Sequence, residues 1–261
     1  MAAAILMMNM HGAVMASDCD RTIFRYSEKI PFAVMADPRS ELHWEDIMMA
    51  YQSRKSITSE NSFKECVENF YLYMADVLNQ EKEPIRNKEQ DNKVICVGYD
   101  PNDLFPHYAI LTINKADSKI PLFKIINKIN ERNSEFHIHL GNCANIQILF
   151  GGMSEDILET VKTYFGNKLG EIMGNKDAAT DVIKKFNTVY SNAFNKIQND
   201  PQVRSAISDF TVKDMVAMAE NLIETEGLQS DDNPTITPVR EIGVLTLAEG
   251  FVWIKHCLYG V

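Results

Sequence analysis

No apolar run in the sequence approaches the roughly 20 residues that a membrane-spanning helix needs. Ala2 to Met8 is apolar, but no basic segment precedes it, so we expect neither a membrane anchor nor a signal peptide. Basic residues are also scarce, because 26 Lys and Arg stand against 36 Asp and Glu. The resulting net charge of −10 disfavours nucleic acids and anionic membranes as partners, since both require a concentrated basic face.

The cysteines form no CxxC pair and are scattered along the chain, at Cys19, Cys66, Cys96, Cys143 and Cys257. This pattern predicts reduced thiols in a cytoplasmic protein rather than a disulfide framework. His137 and His139 would share one face of a predicted strand, and with Cys143 they make three candidate zinc ligands. Without a fourth ligand at a fixed spacing, a polar strand face is the favoured interpretation, and we expect no metal and no cofactor.

Apolar patterning predicts strands and helices in alternating groups along the chain. Strands are predicted at 3–8, 13–17, 30–35, 94–99, 108–113, 136–140, 146–150, 243–247 and 251–255. Helices are predicted as a pair within 44–78 and at 154–173, 178–197 and 212–226. Antiparallel hairpins with helices in consecutive groups indicate an α+β fold, in one domain over 1–261. The charged segment 79–93 has no apolar spacing and is predicted to be an exposed loop.

Three short stretches carry a resemblance to a known family. The opening strand Ala2–Leu6 is followed by the glycine turn and strand "GAVMASD" (Gly12–Asp18), and Lys29 stands in "SEKIPF". With the last helix and the closing hairpin, these stretches resemble the proteasome β-type family of N-terminal-nucleophile hydrolases, and more closely its bacterial proteasome-like members. The resemblance implies a four-layer αββα sandwich and amide hydrolysis of the threonine-peptidase type.

The same resemblance places the nucleophile at Ala2, or at Ala3 if the alignment shifts by one residue. It gives the supporting roles to Asp18 and Lys29, the ammonium favouring the deprotonated nucleophile and the carboxylate orienting the ammonium. An amino-terminal Thr, Ser or Cys attacks an amide with its own α-amine as the general base. Alanine has no hydroxyl or thiol group to make this attack, so we expect this chain to be inactive. Ser17, Cys19 and Thr22 are poor substitutes, because cleavage before any of them would delete the first strand.

Two further departures from the family pattern weaken the case for catalysis. The segment "FAVMADPRSE" lacks the glycine turn whose backbone N–H supports the oxyanion, and Pro38 has no N–H. No Asp-x-x-Ser-Gly element follows the last predicted helix. Three explanations of the alanine stay open: a naturally degenerate subunit, an engineered replacement, or a different alignment.

The resemblance also bears on partners. It implies assembly into a ring or dimer with copies of the chain or a paralogous subunit, and an ATP-dependent unfoldase as a partner. The alternative function is a non-enzymatic ring or scaffold protein of the same fold.

Overall fold

The structure is a computed structural model, which describes residues 2–26, 30–40, 42–54, 62–80, 92–113, 121–130, 134–141, 206–226 and 238–256 and positions 143, 146, 160, 163, 164 and 184. The chain divides into two compact units, residues 1–143 with 207–261 and residues 144–206. The elements of the sandwich described below belong to the first unit. The single domain predicted over 1–261 stays a prediction.

Ten strands and three α-helices have both ends within the described residues, and we number them in chain order. They are β1 (Ala3–Asn9), β2 (Gly12–Ser17), β3 (Ile23–Arg25), β4 (Phe32–Ala36), α1 (Trp44–Arg54), α2 (Phe63–Gln80), β5 (Asn92–Gly98), β6 (His107–Ile113), β7 (Pro121–Lys128), β8 (Glu135–Gly141), α3 (Val212–Glu226), β9 (Glu241–Thr246) and β10 (Gly250–His256).

The strands form two antiparallel sheets of five strands each. One sheet has the order β10-β9-β2-β1-β8, and the other has the order β3-β4-β5-β6-β7. The tight β1–β2 hairpin depends on Gly12, whose φ is +155°. A Cβ at that position would lie 2.7 Å from the carbonyl oxygen of Leu245 on β9, so glycine lets the hairpin approach its neighbour.

Helices cover the outer face of each sheet, which gives four layers. Buried residues of β1, β2, β4, β5 and β9 fill the space between the sheets, among them Leu6, Met15, Met35, Ile95 and Leu245. Helices α1 and α2 pack on the other face of the β4–β5 sheet, and α3 packs on β1 and β2. The predicted α+β αββα sandwich is therefore confirmed.

Helices α2 and α3 each begin at a polar side chain that caps the helix N-terminus. Before α2, the Ser62 N–H donates to Glu65 Oε2 at 2.8 Å and the Glu65 N–H donates to Ser62 Oγ at 3.2 Å. Before α3, Asp214 N–H donates to Thr211 Oγ1 at 3.2 Å, and the Asp214 carboxylate accepts from Thr211 in return. Both are reciprocal capping boxes, which supply partners to backbone groups that the helix leaves unpaired.

The structure departs from the predicted elements at a few places. Strands β3 and β7 were not predicted; β3 has only three residues, too few to show a period. Ile146, predicted to open a strand, is helical, which shows how a short apolar run fits either structure. Residues 147–150 and nearly all of the helices predicted at 154–173 and 178–197 lie outside the described residues, as do 81–91 of the predicted loop. No described helix has both the length and the apolar character needed to cross a membrane.

Candidate functional site

The register of the β1–β2 hairpin brings Asp18 beside the start of the first strand. Ala4 pairs with Ser17, so the next residue after β2 lies opposite Ala3. Asp18 Oδ1 accepts a hydrogen bond of 2.7 Å from the Ala3 N–H, and the Asp18 N–H donates to the Ala3 carbonyl at 3.1 Å. The two candidate positions of the nucleophile, Ala2 and Ala3, are therefore held next to the predicted carboxylate.

The carboxyl group of Asp18 is almost fully withdrawn from solvent, with 5% of the residue exposed. Its second oxygen, Oδ2, has no hydrogen-bond partner among the described residues. A buried carboxylate oxygen in this position favours a donor or a cation. Lys29, the predicted cation, lies outside the described residues.

Hydroxyl and thiol groups near the site are already engaged. Ser17 Oγ donates to the Ala3 carbonyl at 3.2 Å and accepts from the Cys19 N–H at 3.0 Å. Thr22 Oγ1 donates to the Cys19 carbonyl at 3.4 Å. Neither hydroxyl contacts a basic side chain in these bonds, and both therefore act as structural groups of the turn after β2.

Two thiols flank the site, and both are held in the protonated form. Cys19 Sγ donates to Asp18 Oδ1 at 3.2 Å, and burial, followed by the Asp18 charge, raises the pKa of Cys19 to about 12. Cys143 Sγ donates to the Leu140 carbonyl at 3.0 Å, and burial, followed by the Glu226 charge, raises its pKa to about 12. Because the thiolate is the nucleophilic form, neither cysteine replaces the missing hydroxyl at neutral pH.

The wall beside Ala2 is formed by Gly141 and the loop after β4. Gly141 has φ +87°, and a Cβ there would overlap the Ala2 carbonyl oxygen and approach Pro38 Cγ to 3.0 Å. Only glycine combines this left-handed backbone with so close an approach. The backbones at the end of β8 and before β1 therefore pack so closely at the site that no side chain fits between them.

In the loop after β4, the backbone N–H groups donate their hydrogen bonds to Asp37 of the same loop. Asp37 Oδ1 accepts from the Arg39 N–H at 2.9 Å, and the Asp37 carbonyl accepts from the Ser40 N–H at 2.9 Å. The Arg39 guanidinium also binds the Asp37 carboxylate, with Nη2 to Oδ2 at 3.1 Å. With Pro38 lacking an N–H, residues 38–40 present no backbone donor that is left over for an oxyanion.

A carboxylate on β9 organises the loop that follows Asp18, and sequence reasoning missed it. Glu241 is buried and accepts three backbone hydrogen bonds, from Arg21 at 2.8 Å, Thr22 at 3.0 Å and Ile23 at 2.9 Å. Arg21 has φ +63°, a conformation that these bonds hold in place. Burial raises the pKa of Glu241 although the N–H donors favour its ionised form. The only signal in the sequence is an acid at the head of the apolar run "EIGVLT".

A cleft of about 170 Å³ opens beside the same loop, between the turn after β2 and the start of α1. Its lining carries the carboxylates Asp20, Asp37, Glu45 and Asp46 and the guanidinium of Arg21. Arg21 Nη1 lies 2.7 Å from Glu45 Oε2, Arg39 Nη2 lies 3.1 Å from Asp37 Oδ2, and Arg240 Nη1 lies 2.7 Å from Asp20 Oδ2. Three of the four lining acids are therefore paired with arginines, so the cleft carries little unbalanced negative charge.

The histidines considered as zinc ligands lie on β8, opposite β1. His137 pairs with Met7 and His139 pairs with Ile5, which confirms that they share a face. Burial lowers the pKa of His137 to about 4, and the charge of His139 makes a smaller contribution in the same direction. Cys143 directs its thiol to the Leu140 carbonyl. Among the described residues, no three His, Cys, Asp or Glu side chains form a group that would hold a metal ion.

Comparisons with known proteins bear on the fold. No protein-family model and no curated protein matches the chain. The solved structure of Anbu (ancestral beta-subunit) from Yersinia bercovieri is similar with a TM-score of 0.51 at 11% identity, covering 98% of this chain and 88% of that one. The structure of the helical assembly of the Anbu complex from Pseudomonas aeruginosa has a TM-score of 0.40 at 13% identity, covering 64% of this chain and 74% of that one.

The likeness to the Yersinia bercovieri structure corrects the family predicted from the sequence. Assignment to the proteasome β-type family is wrong, because that structure is an Anbu protein, of a proteasome-like but distinct family. The residues that suggested it, in Ala2–Leu6 and Gly12–Asp18, form the β1–β2 hairpin of the sandwich, and a fold by itself does not identify a family. At 11% identity the likeness shows the fold alone, and that fold is a proteasome-related αββα sandwich.

Proposed function

We propose that the chain is a self-associating subunit built on the N-terminal-nucleophile fold, with an amino-terminal site that does not hydrolyse amides. One observation carries the proposal: Asp18 Oδ1 binds the Ala3 N–H at 2.7 Å, so the supporting carboxylate faces a strand start that bears only methyl groups. The proposed site consists of Ala2 or Ala3 at the position of the nucleophile, with Asp18 and Lys29 in supporting roles.

The chemistry of the site supports an inactive site rather than one in which another residue replaces the missing nucleophile. Amide hydrolysis through this fold requires a hydroxyl or thiol that attacks the carbonyl carbon. Ser17 Oγ donates to the Ala3 carbonyl, and the Cys19 thiol has its pKa raised to about 12 by burial and by Asp18. The backbone donors of Arg39 and Ser40 are bound to Asp37, which removes a source of oxyanion stabilisation as well.

Restoration of a hydroxyl tests the assignment of the site. The variants Ala2→Thr and Ala3→Thr are each prepared with the new threonine as the amino-terminal residue and assayed with fluorogenic peptides. We expect no turnover by the unsubstituted chain and slow turnover by one of the two variants, because the hydroxyl is restored while the Arg39 and Ser40 N–H groups stay bound to Asp37. That threonine should also be labelled covalently by an electrophilic inhibitor. The same variant with Asp18→Ala serves as the control and should lose the activity, because the carboxylate no longer supports the site.

Two results would contradict this account of the amino-terminal site. Hydrolysis by the unsubstituted chain, retained after repurification, would show that another group attacks the peptide. Absence of turnover in both threonine variants, with circular dichroism and unfolding midpoints unchanged, would show that the strand start is not a latent hydrolase site.

A second candidate function is a non-enzymatic ring or scaffold protein of the same fold. Exposed apolar side chains favour it, since Leu247, Val252 and Ile254 on the closing hairpin are exposed in the described part of the chain. It predicts stable oligomers of this chain by light scattering and no labelling by threonine-directed inhibitors. A monomer at micromolar concentration would contradict it and would remove self-association from the first proposal.

The thiols support a reducing, cytoplasmic location, which is also a proposal. Cys19, Cys66, Cys96 and Cys143 are free, and three of the four are buried. Free buried thiols persist where glutathione keeps proteins reduced. Mass spectrometry of protein isolated under rapid acid quench should find these four residues unoxidised, and a stable disulfide among them would argue for another compartment.

A further inference from the structure

An apolar groove runs between the start of α3 and the outer face of the closing hairpin. It has a volume of about 620 Å³, and its apolar lining includes Val212, Val216, Val244, Val252 and Ile254. We call it the α3–β10 groove. Val252 is 37% exposed and Ile254 is 57% exposed, so β10 presents two branched aliphatic side chains to solvent side by side. Apolar surface gathered in this way marks an interaction site more often than scattered exposed residues do.

The backbone of β10 directs any partner to this face rather than to the strand edge. Strand β10 is the outer strand of its sheet among the described strands, and an edge of this kind is a template for pairing. Its ladder with β9 shifts register between Trp253 and Lys255, so Ile254 is the extra residue of a bulge. Lys255 Nζ also lies 3.6 Å from Glu220 Oε1 and adds charge at the edge. Both features oppose strand addition and leave the side-chain face as the contact.

The charges around the groove are balanced, which distinguishes it from the molecule as a whole. The lining includes one cation, Lys213 on α3, and one anion, Glu249 in the β9–β10 turn. Because the chain carries a net charge of −10, two copies repel each other over most of their surfaces. A copy therefore docks most favourably where its local charge is neutral and where opposite charges can be matched.

We propose that the α3–β10 groove is the surface through which two copies of this chain associate, around a twofold axis that passes between Lys213 and Glu249. The axis sets Lys213 of each copy against Glu249 of the other and buries Val252 and Ile254 of both. A twofold contact of this kind is self-complementary, because the same patch serves both copies. The inference rests on the self-association proposed above and assigns it a surface.

Substitution of the apolar residues tests the surface. Ile254→Asp places a charge in the contact, and we expect its dimer dissociation constant, measured by sedimentation velocity, to rise by about thirtyfold or more, as at a central interface residue. Leu104→Asp is the matched control, since Leu104 is 72% exposed and lies in the β5–β6 connection. It should leave the dissociation constant unchanged.

A charge exchange tests the twofold arrangement without disturbing the fold. Lys213→Glu alone and Glu249→Lys alone should each weaken association by about tenfold, because two like-charged contacts replace two opposite ones. An equimolar mixture of the two variants should recover the original affinity, since every contact in the mixed dimer is again between opposite charges. Differently tagged variants and co-purification measure the mixed species.

The outcomes separate the surface from the proposed function. If the unsubstituted chain associates and Ile254→Asp and the charge variants behave like Leu104→Asp, the groove is not the interface and self-association stands through another surface. If the unsubstituted chain is monomeric at micromolar concentration, both the surface and the self-association are overturned. Weakening by each charge variant without recovery in the mixture overturns the twofold arrangement.

Discussion

Asp18 Oδ1 lies 2.7 Å from the backbone nitrogen of Ala3 and accepts its hydrogen bond in a site closed to solvent. The bond joins the end of β2 to the start of β1, at the open end of the hairpin and opposite to its turn at Gly12. It therefore fixes the first residues of the chain against the carboxylate. A side chain at position 2 or 3 would project from a strand start whose backbone is already oriented.

Loss of this bond should destabilise the fold by a measurable amount. In Asp18→Ala the Ala3 N–H stays buried without an acceptor, and we expect a loss of about 1–3 kcal/mol of unfolding free energy by urea denaturation. Asp18→Asn is the matched control, because its amide oxygen can still accept the bond, and it should cost less. Equal losses in the two variants would mean that the charge, and not the hydrogen bond, holds the strand start.

The carboxylate also controls the reactivity of the neighbouring thiol. Burial, followed by the charge of Asp18, raises the pKa of Cys19 to about 12. In Asp18→Asn the negative charge is absent, so the thiolate fraction at pH 8 rises, and alkylation of Cys19 by iodoacetamide should become faster. Peptide mass spectrometry gives the rate at each cysteine. Cys66, whose pKa is raised by burial and by Glu65, is the internal control and should not change.

The first hairpin and its carboxylate could be predicted because local signals specify them. Gly12 marks the turn, apolar runs mark the two strands, and a hairpin with a tight turn fixes which residue of β2 lies opposite Ala3. The spacing of 15 residues from Ala3 to Asp18 therefore becomes a hydrogen bond at the site. The helix predicted at 212–226 has the same bounds as α3, and the capping box at Thr211 is a local signal of the same kind for its start.

The rest of the site depends on contacts between distant parts of the chain. Glu241 accepts bonds from residues about 220 positions earlier, and this follows only from the pairing of β2 with β9. Strand β3 is too short to show a period and exists because β4 supplies its ladder. The family assignment was wrong for a related reason, since the short motifs at the first hairpin describe a sandwich that distinct families share.

Gly141 should be among the least replaceable residues of the chain. In Gly141→Ala the new Cβ would overlap the Ala2 carbonyl oxygen at a backbone φ of +87°, and we expect a loss of roughly 2–4 kcal/mol of unfolding free energy. Gly250→Ala is the matched control, because its φ is +68° but nothing lies within 4 Å of the added atom. It should cost only the left-handed backbone strain of about 1–2 kcal/mol. Equal losses would mean that the close approach to Ala2 relaxes freely.

Protonation of Asp103 in acid should lower the stability of the protein. Burial acts to raise its pKa, but hydrogen bonds from Lys128, the Phe105 N–H and His107 outweigh burial and lower the pKa to about 2. The carboxylate lies 2.9 Å from Lys128 Nζ and 3.1 Å from His107 Nε2. Because the folded pKa lies below the unfolded value of 3.8, its contribution is present above pH 4 and is lost as the pH falls towards 2.

Asp103→Asn removes this titration, so the difference in unfolding free energy between the original chain and the variant should shrink as the pH falls from 4 to 2. We expect a change of about 1 kcal/mol, because solvent screens a pair in which Lys128 is half exposed. Urea unfolding at pH 7, 4, 3 and 2 measures it. Glu68→Gln is the control, since Glu68 and Lys64 form an exposed pair at 3.7 Å whose removal should leave the acid dependence unchanged. An acid dependence that is the same in Asp103→Asn and in the original chain would place the titrating carboxylate elsewhere in the fold.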